Sequence, residues 1–133
     1  MILTDAGPLV ALLDRGEPDH GRCQEALTRL RGPLLTTWPA FTEAMYLLGE
    51  AGGWRAQEAL WRLLRRGDLV VEMPRQLERM ASLMSQYRSL PMDLADASLV
   101  ALAEERGLTT VFTLDHDFYV YRLPRGKAFT LIP

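Results

Sequence analysis

Short apolar runs alternate with longer helical patterns along the chain, and this alternation restricts the possible folds more than any other feature. Apolar runs of strand length occur at residues 1–4, 34–36, 69–73, 110–114 and 128–132. Segments with helical spacing separate these runs from one another. Because helices connect successive strands, the pattern predicts an α/β fold with a mostly parallel sheet, helices on both faces and right-handed crossovers.

Helix start and stop signals divide the intervening segments. Thr37 followed by Trp38-Pro39 is a typical helix start, and Gly52-Gly53 separates that helix from the next one. Pro91 and Gly107 mark the ends of two later helices. The predicted helices cover residues 9–13, 18–31, 37–50, 54–66, 76–90 and 93–106.

Length, charge and cysteine content exclude several classes of protein. The 133 residues suit one domain, and a net charge of −2 gives no overall attraction to polyanions, so such a partner requires a local basic patch or a metal. The single cysteine, Cys23, excludes an internal disulfide and a cysteine-rich zinc site. Neither a signal peptide nor an apolar stretch of membrane length is visible, so we expect a cytoplasmic protein with no membrane partner.

Four acidic residues occupy positions at which folding has no need of an acid. Asp5 and Asp115 each close an apolar run, whereas Glu43 and Asp96 interrupt largely apolar helical patterns. Open α/β sheets bind ligands beyond the carboxyl ends of their strands, so this edge of the sheet gives the acids a common location. The sequence therefore predicts a pocket lined by carboxylates.

The helical patterns predict how the two helix-borne acids are oriented. Asp96 shares a stripe with Leu99 and Val100 and is expected to face the core, whereas Ser98 is expected to be exposed. Glu43 lies in a helix that is apolar nearly all round, so we expect it to be buried. A charged residue in such a position is rare unless it is paired.

Buried carboxylates repel one another and are costly to dehydrate, so a cluster of them usually persists because a divalent cation holds it together. Hard oxygen ligands favour Mg²⁺ or Mn²⁺. The predicted ligands, direct or through water, are Asp5, Glu43, Asp96 and Asp115. The hydroxyl of Thr113 is a candidate for orienting this site.

Each acid also has a purely structural interpretation. Asp5 is well placed to cap the helix that follows, and Asp96 to interact with a helix dipole. For Asp93, beside the predicted site, the role of helix cap is the preferred one. In the sequence Asp115-His116-Asp117, one acid can bind metal while the other caps the loop; we favour Asp115 as the ligand and keep Asp117 as the alternative.

Four segments together resemble, in order and spacing, the motifs of PIN-domain ribonucleases, in particular the small toxins of VapBC-type toxin-antitoxin modules. They are Thr4-Asp5, Thr42-Glu43-Ala44, Leu94-Ala95-Asp96-Ala97 with the apolar run 99–103 after it, and Thr113-Leu114-Asp115-His116-Asp117-Phe118. Each motif alone is weak, but the four extend over essentially the whole chain. Gly7 departs from the Ser or Thr that many relatives carry two residues after the first Asp.

The resemblance implies a three-layer α/β/α sandwich and an endoribonuclease that depends on Mg²⁺ or Mn²⁺. It also implies homodimerisation and neutralisation by a small antitoxin protein. Asp5, Glu43, Asp96 and Asp115 match the family's catalytic acids. The exposed-type arginines that would guide RNA, or form only a solvated face, are Arg15, Arg62, Arg65, Arg66, Arg122 and Arg125.

Two alternatives keep the fold and change the function. One is a stand-alone RNA-processing nuclease with no antitoxin, and the other is a non-catalytic PIN-fold module that binds RNA or protein. The presence of all four acids argues against the second. A phosphatase with an aspartyl nucleophile would commonly carry a second Asp at the position of Gly7.

Overall fold

The structure is a computed structural model that describes all 133 residues. In chain order its elements are β1 (Ile2–Thr4), α1 (Ala6–Leu13), α2 (His20–Thr28), β2 (Leu34–Thr37), α3 (Trp38–Arg66), β3 (Leu69–Glu72), α4 (Leu77–Gln86), α5 (Leu94–Arg106), β4 (Thr110–Phe112), β5 (Arg122–Leu123), β6 (Lys127–Ala128) and β7 (Thr130–Ile132). Single turns of 3-10 helix occur at His116–Tyr119 and Pro124–Gly126.

A five-stranded sheet forms the centre of the fold, with strand order β3-β2-β1-β4-β7. All neighbouring strands are parallel, and in β1 Leu3 pairs with Leu35 on one side and Val111 on the other. Parallel neighbours require crossover connections, which the helices supply. This topology confirms the predicted α/β fold with a mostly parallel sheet.

Two apolar cores lie on the two faces of the sheet, so the molecule has three layers. One core combines α4 and α5 with the sheet and includes Leu35, Leu83, Leu99, Val111 and Phe118. The other combines α1, α2 and α3 with the sheet and includes Leu9, Cys23, Phe41, Leu60 and Phe112. The α/β/α sandwich is therefore as predicted. No helix is both long enough and apolar enough to cross a membrane.

A glycine interrupts α3 where the sequence predicts a break between two helices. Gly53 has φ 64° and ψ −153°, a backbone conformation that is essentially restricted to glycine. Residues 38–52 and 54–66 are therefore two helical segments, in agreement with the sequence. Gly67, with φ 79°, ends the second segment in the left-handed conformation common at helix ends.

The predicted exposure of two side chains was wrong. Ser98 is fully buried because α5 is enclosed on every side between residues 95 and 103, and its hydroxyl lies 2.6 Å from that of Thr37. Glu43 is exposed, although we expected it to be buried. The first segment of α3 buries only one face, so its other apolar side chains, such as Tyr46, also face outward.

The end of the chain is more divided than the sequence predicts. In place of one strand over residues 128–132, Lys127–Ala128 pairs antiparallel with Arg122–Leu123, and Thr130–Ile132 joins the main sheet. Between them the buried ring of Phe129 lies edge-on to Phe118, with centroids 5.8 Å apart. Two-residue strands are too short to produce a recognisable alternation of side chains, so periodicity could not reveal them.

Candidate metal and active site

Three carboxylates converge at the carboxyl edge of the central strands. Asp5 directly follows β1, Asp115 follows the neighbouring strand β4, and Asp96 lies in the first turn of α5. One oxygen from each of the three lies within 4.8 Å of the others. Asp5 and Asp96 are buried and Asp115 is half-buried. The structure therefore brings together three of the four acids predicted from the sequence.

Asp5 serves both as a helix cap and as part of this cluster. Its Oδ1 accepts a hydrogen bond of 2.7 Å from the backbone N–H of Ala6 at the start of α1. Its Oδ2 accepts one of 3.1 Å from the hydroxyl of Thr113. Both oxygens have a donor, so the carboxylate is held in one orientation. Thr113 lies where the sequence suggested an orienting hydroxyl.

Asp96 has a hydrogen-bond donor in Tyr121, a residue that sequence reasoning missed. Its hydroxyl donates a hydrogen bond of 2.6 Å to Asp96 Oδ2. Tyr121 is fully buried and lies 25 residues from Asp96 along the chain, so no local pattern connects the two. Burial and this hydrogen bond both raise the pKa of the Tyr121 phenol, which therefore remains a donor throughout the physiological range.

The fourth motif contributes Asp115 to the cluster and leaves Asp117 outside it. Asp115 Oδ1 accepts a hydrogen bond of 2.9 Å from the backbone N–H of Asp117 and caps the short 3-10 turn. The N–H of Asp115 in turn donates to Thr113 Oγ1 at 3.0 Å. The group of three carboxylates includes Asp115, which is the residue that we favoured.

Glu43 and Asp93 lie at the border of the cluster. Asp93 is exposed and its Oδ1 accepts a hydrogen bond of 2.8 Å from the N–H of Asp96, as expected for a helix cap. Glu43 is outside the close group, yet its charge helps to raise the pKa of Asp5. Partial burial, then the charges of Asp93 and Asp115, raise the pKa of Glu43 itself.

The pKa values of the two buried acids are raised, and no cationic side chain is paired with either of them. Burial raises the pKa of Asp5 to about 6, opposed by the Ala6 N–H and reinforced by nearby carboxylates. Burial raises the pKa of Asp96 to about 8, opposed by the Tyr121 hydroxyl and reinforced by Asp5 and other acids. None of the ion pairs in the structure involves a member of the cluster.

This donor set fits a divalent cation. Mg²⁺ binds oxygens at about 2.1 Å, so two ligands on opposite sides of it lie about 4.2 Å apart, which is compatible with carboxylate oxygens that all lie within 4.8 Å of one another. All donors are carboxylate oxygens, which suit a hard cation rather than zinc. A cation would also supply the positive charge that the buried carboxylates lack. Asp5, Asp96 and Asp115 are therefore the residues that could hold it.

Four of the arginines considered as RNA contacts lie away from this cluster. Arg15 follows the far end of α1, about 12 Å of helix from the acidic edge. Arg66 pairs with Asp68, just before β3 at the amino edge of the sheet, and Arg62 and Arg65 lie within the last turns of α3 beside it. The structure does not bring these four together with the acids.

Arg122 and Arg125 lie in the segment that contains Tyr121 and are exposed. The guanidinium of Arg122 donates hydrogen bonds to the backbone carbonyls of residues 119, 120 and 121, at 2.6, 3.2 and 3.0 Å. Arg125, in the turn between β5 and β6, has φ 64°. These two remain the arginines nearest in sequence to the residues of the site.

Comparison with known proteins agrees with the fold. The family model described as "PIN domain" matches residues 2–123 of this chain. The chain therefore belongs to the PIN-domain family. A curated relative, Ribonuclease VapC26 of Mycobacterium tuberculosis (strain ATCC 25618 / H37Rv), is 30% identical over 135 residues. That alignment covers 99% of this chain and 100% of the relative.

Solved structures with lower identity share the fold. Mycobacterium tuberculosis VapC20, described as a sarcin-ricin loop cleaving toxin, has a TM-score of 0.82 at 20% identity, covering 90% of this chain and 94% of that one. A toxin-antitoxin complex from Klebsiella pneumoniae has a TM-score of 0.68 at 20% identity, covering 89% and 90%. At these identities the likeness establishes the architecture.

Proposed function

We propose that this protein is a metal-dependent endoribonuclease that hydrolyses RNA phosphodiester bonds. The observation that carries the proposal is the convergence of Asp5, Asp96 and Asp115 at the carboxyl edge of the sheet, with no cationic side chain to neutralise them. Membership of the PIN-domain family and the similarity to a protein named as a ribonuclease support it. We propose Mg²⁺ or Mn²⁺ as the cofactor.

Some residues of the site would hold the cation, and others orient the carboxylates that hold it. Asp5, Asp96 and Asp115 would hold the cation, which when bound would lower the pKa of a water and polarise the phosphate. Thr113 fixes the carboxylate of Asp5. Glu43, at the exposed border, can reach the site through water, and its raised pKa suits it to accept a proton from the attacking water. No covalent intermediate with the protein is required.

The first prediction is metal-dependent cleavage that requires Asp5. Purified protein should cleave a looped RNA in the presence of Mn²⁺, and chelator should abolish the cleavage. Asp5→Asn should lower the rate by about 100-fold or more, because a ligand that places charge at the phosphate is lost. Rates would be measured from end-labelled RNA on denaturing gels.

Asp117→Asn is the matched control for this experiment. It changes an acid two residues from Asp115 but keeps the backbone N–H that contacts Asp115 Oδ1. We expect its rate to stay within about threefold of the wild type, since its carboxylate is outside the group of three. Cleavage that survives chelator, or that is unaffected by Asp5→Asn, would contradict the proposed function.

We further propose that the protein is the toxin of a toxin-antitoxin module and forms a homodimer. The similarity to VapC26 and the fold shared with a toxin and with a toxin-antitoxin complex support an antitoxin partner. A segment of that partner could lie in the apolar groove between α1, α2 and α3, lined by Leu12, Leu27 and Leu63. That groove lies at the amino edge of the sheet, so a different segment of the partner would insert a basic side chain among the carboxylates and block metal and RNA together.

We propose that RNA approaches the site past Arg122 and Arg125, the two candidate arginines in the segment that also contains Tyr121. A local basic contact of this kind is needed because the net charge of the chain is −2. We propose the cytoplasm as the location of the reaction, where RNA is available and the free thiol of Cys23 stays reduced.

A further inference from the structure

Tyr121 is the one buried aromatic residue whose polar atom touches the acidic cluster. Its hydroxyl lies 2.6 Å from Asp96 Oδ2, a short distance for a hydrogen bond between two oxygens. No protein group donates to the other oxygen, Oδ1. One oxygen of Asp96 is therefore occupied by the protein and the other is left free.

The ring of Tyr121 is fixed from two sides. Phe118 and Tyr87 each meet it edge-to-face, with centroids 5.1 Å away in both cases. The Tyr87 hydroxyl does not reach the cluster, and accepts instead a hydrogen bond of 2.9 Å from the backbone N–H of Arg122. Because Tyr121 is fully buried within this group, its hydroxyl has little freedom to leave Asp96.

We infer that Tyr121 is a positioning residue that sets the cation affinity of the site by fixing the carboxylate of Asp96. This inference rests on the proposed cation site and concerns a residue to which no role has been assigned. A carboxylate with one oxygen fixed by a buried donor loses less rotational freedom when the other oxygen binds a cation. Partners that orient ligands in this way commonly change metal affinity or activity by about 10- to 100-fold.

The test compares two substitutions that each remove one hydroxyl from the same aromatic group. Tyr121→Phe removes the contact with Asp96 and keeps the ring packing, whereas Tyr87→Phe removes only the contact with the Arg122 N–H. Binding of Mn²⁺ to the full chain would be measured by isothermal titration calorimetry. We expect Tyr121→Phe to weaken binding by about 10- to 100-fold and Tyr87→Phe by less than about threefold.

The coupling of Tyr121 to Asp96 can be measured directly. In an Asp96→Asn background, any remaining affinity should be insensitive to Tyr121→Phe, because the hydroxyl no longer orients a ligand. Wild-type affinity in Tyr121→Phe, or equal losses in both Tyr→Phe variants, would overturn the inference while leaving the cation site in place. Failure of the wild type to bind Mn²⁺ would overturn the inference and the proposed cofactor together.

A measurement on the wild type covers the case in which Tyr121→Phe does not fold. The chain has four tyrosines, and the Cζ resonance of Tyr121 can be assigned by elimination with the variants Tyr46→Phe, Tyr87→Phe and Tyr119→Phe. During a titration with Mg²⁺, this resonance should shift with the binding curve because its hydroxyl contacts a ligand carboxylate. A Tyr121 resonance that stays constant to saturation would overturn the inference.

Discussion

The carboxylate of Asp5 combines two roles that the sequence could only present as alternatives. It caps α1 through the N–H of Ala6 and also belongs to the group of three acids. The two roles are compatible because the cap uses Oδ1, whereas Thr113 holds Oδ2 toward the neighbouring strand. A helix cap and a ligand position therefore do not exclude each other, and cap geometry alone does not argue against a functional acid.

The raised pKa values of Asp5 and Asp96 predict how the stability of the metal-free protein depends on pH. Their folded-state pKa values, about 6 and about 8, exceed the ordinary value of 3.8, so the folded protein holds these protons more tightly than the unfolded chain. The resulting stabilisation is complete below about pH 4 and is lost as the pH rises through 6 to 8. In chelator, the free energy of unfolding should fall by on the order of a few kcal/mol between pH 5 and pH 8.

Asp96→Asn separates this effect from other titrations. Without the ionisable group, the variant should be more stable than the wild type at pH 8 and show a shallower pH dependence. Urea denaturation followed by circular dichroism at both pH values provides the comparison, and added Mn²⁺ should restore the wild type at pH 8. Parallel pH dependence in the two proteins would refute the explanation.

The sequence indicated the three acids that converge in the structure because a carboxylate in an apolar pattern is conspicuous, and it missed Tyr121 because an aromatic residue in such a pattern is not. A tyrosine among Phe118, Tyr119 and Val120 looks like ordinary packing. Its role depends on a hydrogen bond across 25 residues, which only the folded backbone creates. The prediction that Glu43 is buried was wrong, because a helix with apolar residues on all sides gives no sign of which face packs against the sheet.

At the scale of elements, strand and helix positions were predictable where segments were long and had clear ends. The Thr37 side chain accepts a hydrogen bond of 3.4 Å from the backbone N–H of Ala40, and the Asp93 side chain accepts one of 2.8 Å from that of Asp96. Both helices therefore begin at the residues that the sequence indicated. Pro18 was a less accurate signal, since α2 begins at His20. The hairpin of β5 and β6 was not predictable, because each strand has two residues.

The break in α3 gives a prediction about stability. Gly53→Ala should destabilise the fold by about 1–3 kcal/mol, because φ 64° with ψ −153° is strained for any residue with a Cβ. A Cβ at this position would meet no atom within 4 Å, so the cost would arise from the backbone alone. Denaturant unfolding with and without the substitution measures it.

Gly21→Ala is the matched control. Gly21 lies within α2, and a Cβ there would also meet nothing within 4 Å. The same substitution should stabilise the protein by about 0.4–1 kcal/mol, because alanine restricts the unfolded chain and suits a helix. Equal effects at the two glycines would show that the conformation of Gly53 carries no strain cost.

At the scale of the whole molecule, apolar side chains on α3 remain uncovered. Tyr46 is 65% exposed and Trp54 61% exposed, and Trp38 and Leu47 are also exposed. The middle of the chain, over residues 40–48, 54–64 and 77–87, carries more bulky apolar residues than one helical layer can readily cover. The structure locates part of that excess on the outer face of α3, which is the surface that we propose for the homodimer.

Light scattering at micromolar concentration tests this interface. The wild type should have the mass of two chains, whereas Trp54→Lys should shift it toward one chain, because a charge would be placed in an apolar contact. Gln24→Lys adds the same charge to an exposed position on α2 and should leave the mass unchanged. A wild-type monomer would exclude the dimer and leave a free-standing nuclease as the better description.

The segment from Thr113 to Tyr121 supplies one acid of the site and contacts the other two, through hydroxyls to Asp5 and Asp96. A nascent chain that has emerged from the ribosome only as far as β4 therefore lacks both a ligand and the two orienting donors. Its acidic cluster would lack Asp115, and the carboxylates of Asp5 and Asp96 would be less firmly oriented. We expect the acidic site, and with it the capacity to bind a cation, to form only after this late segment has left the exit tunnel.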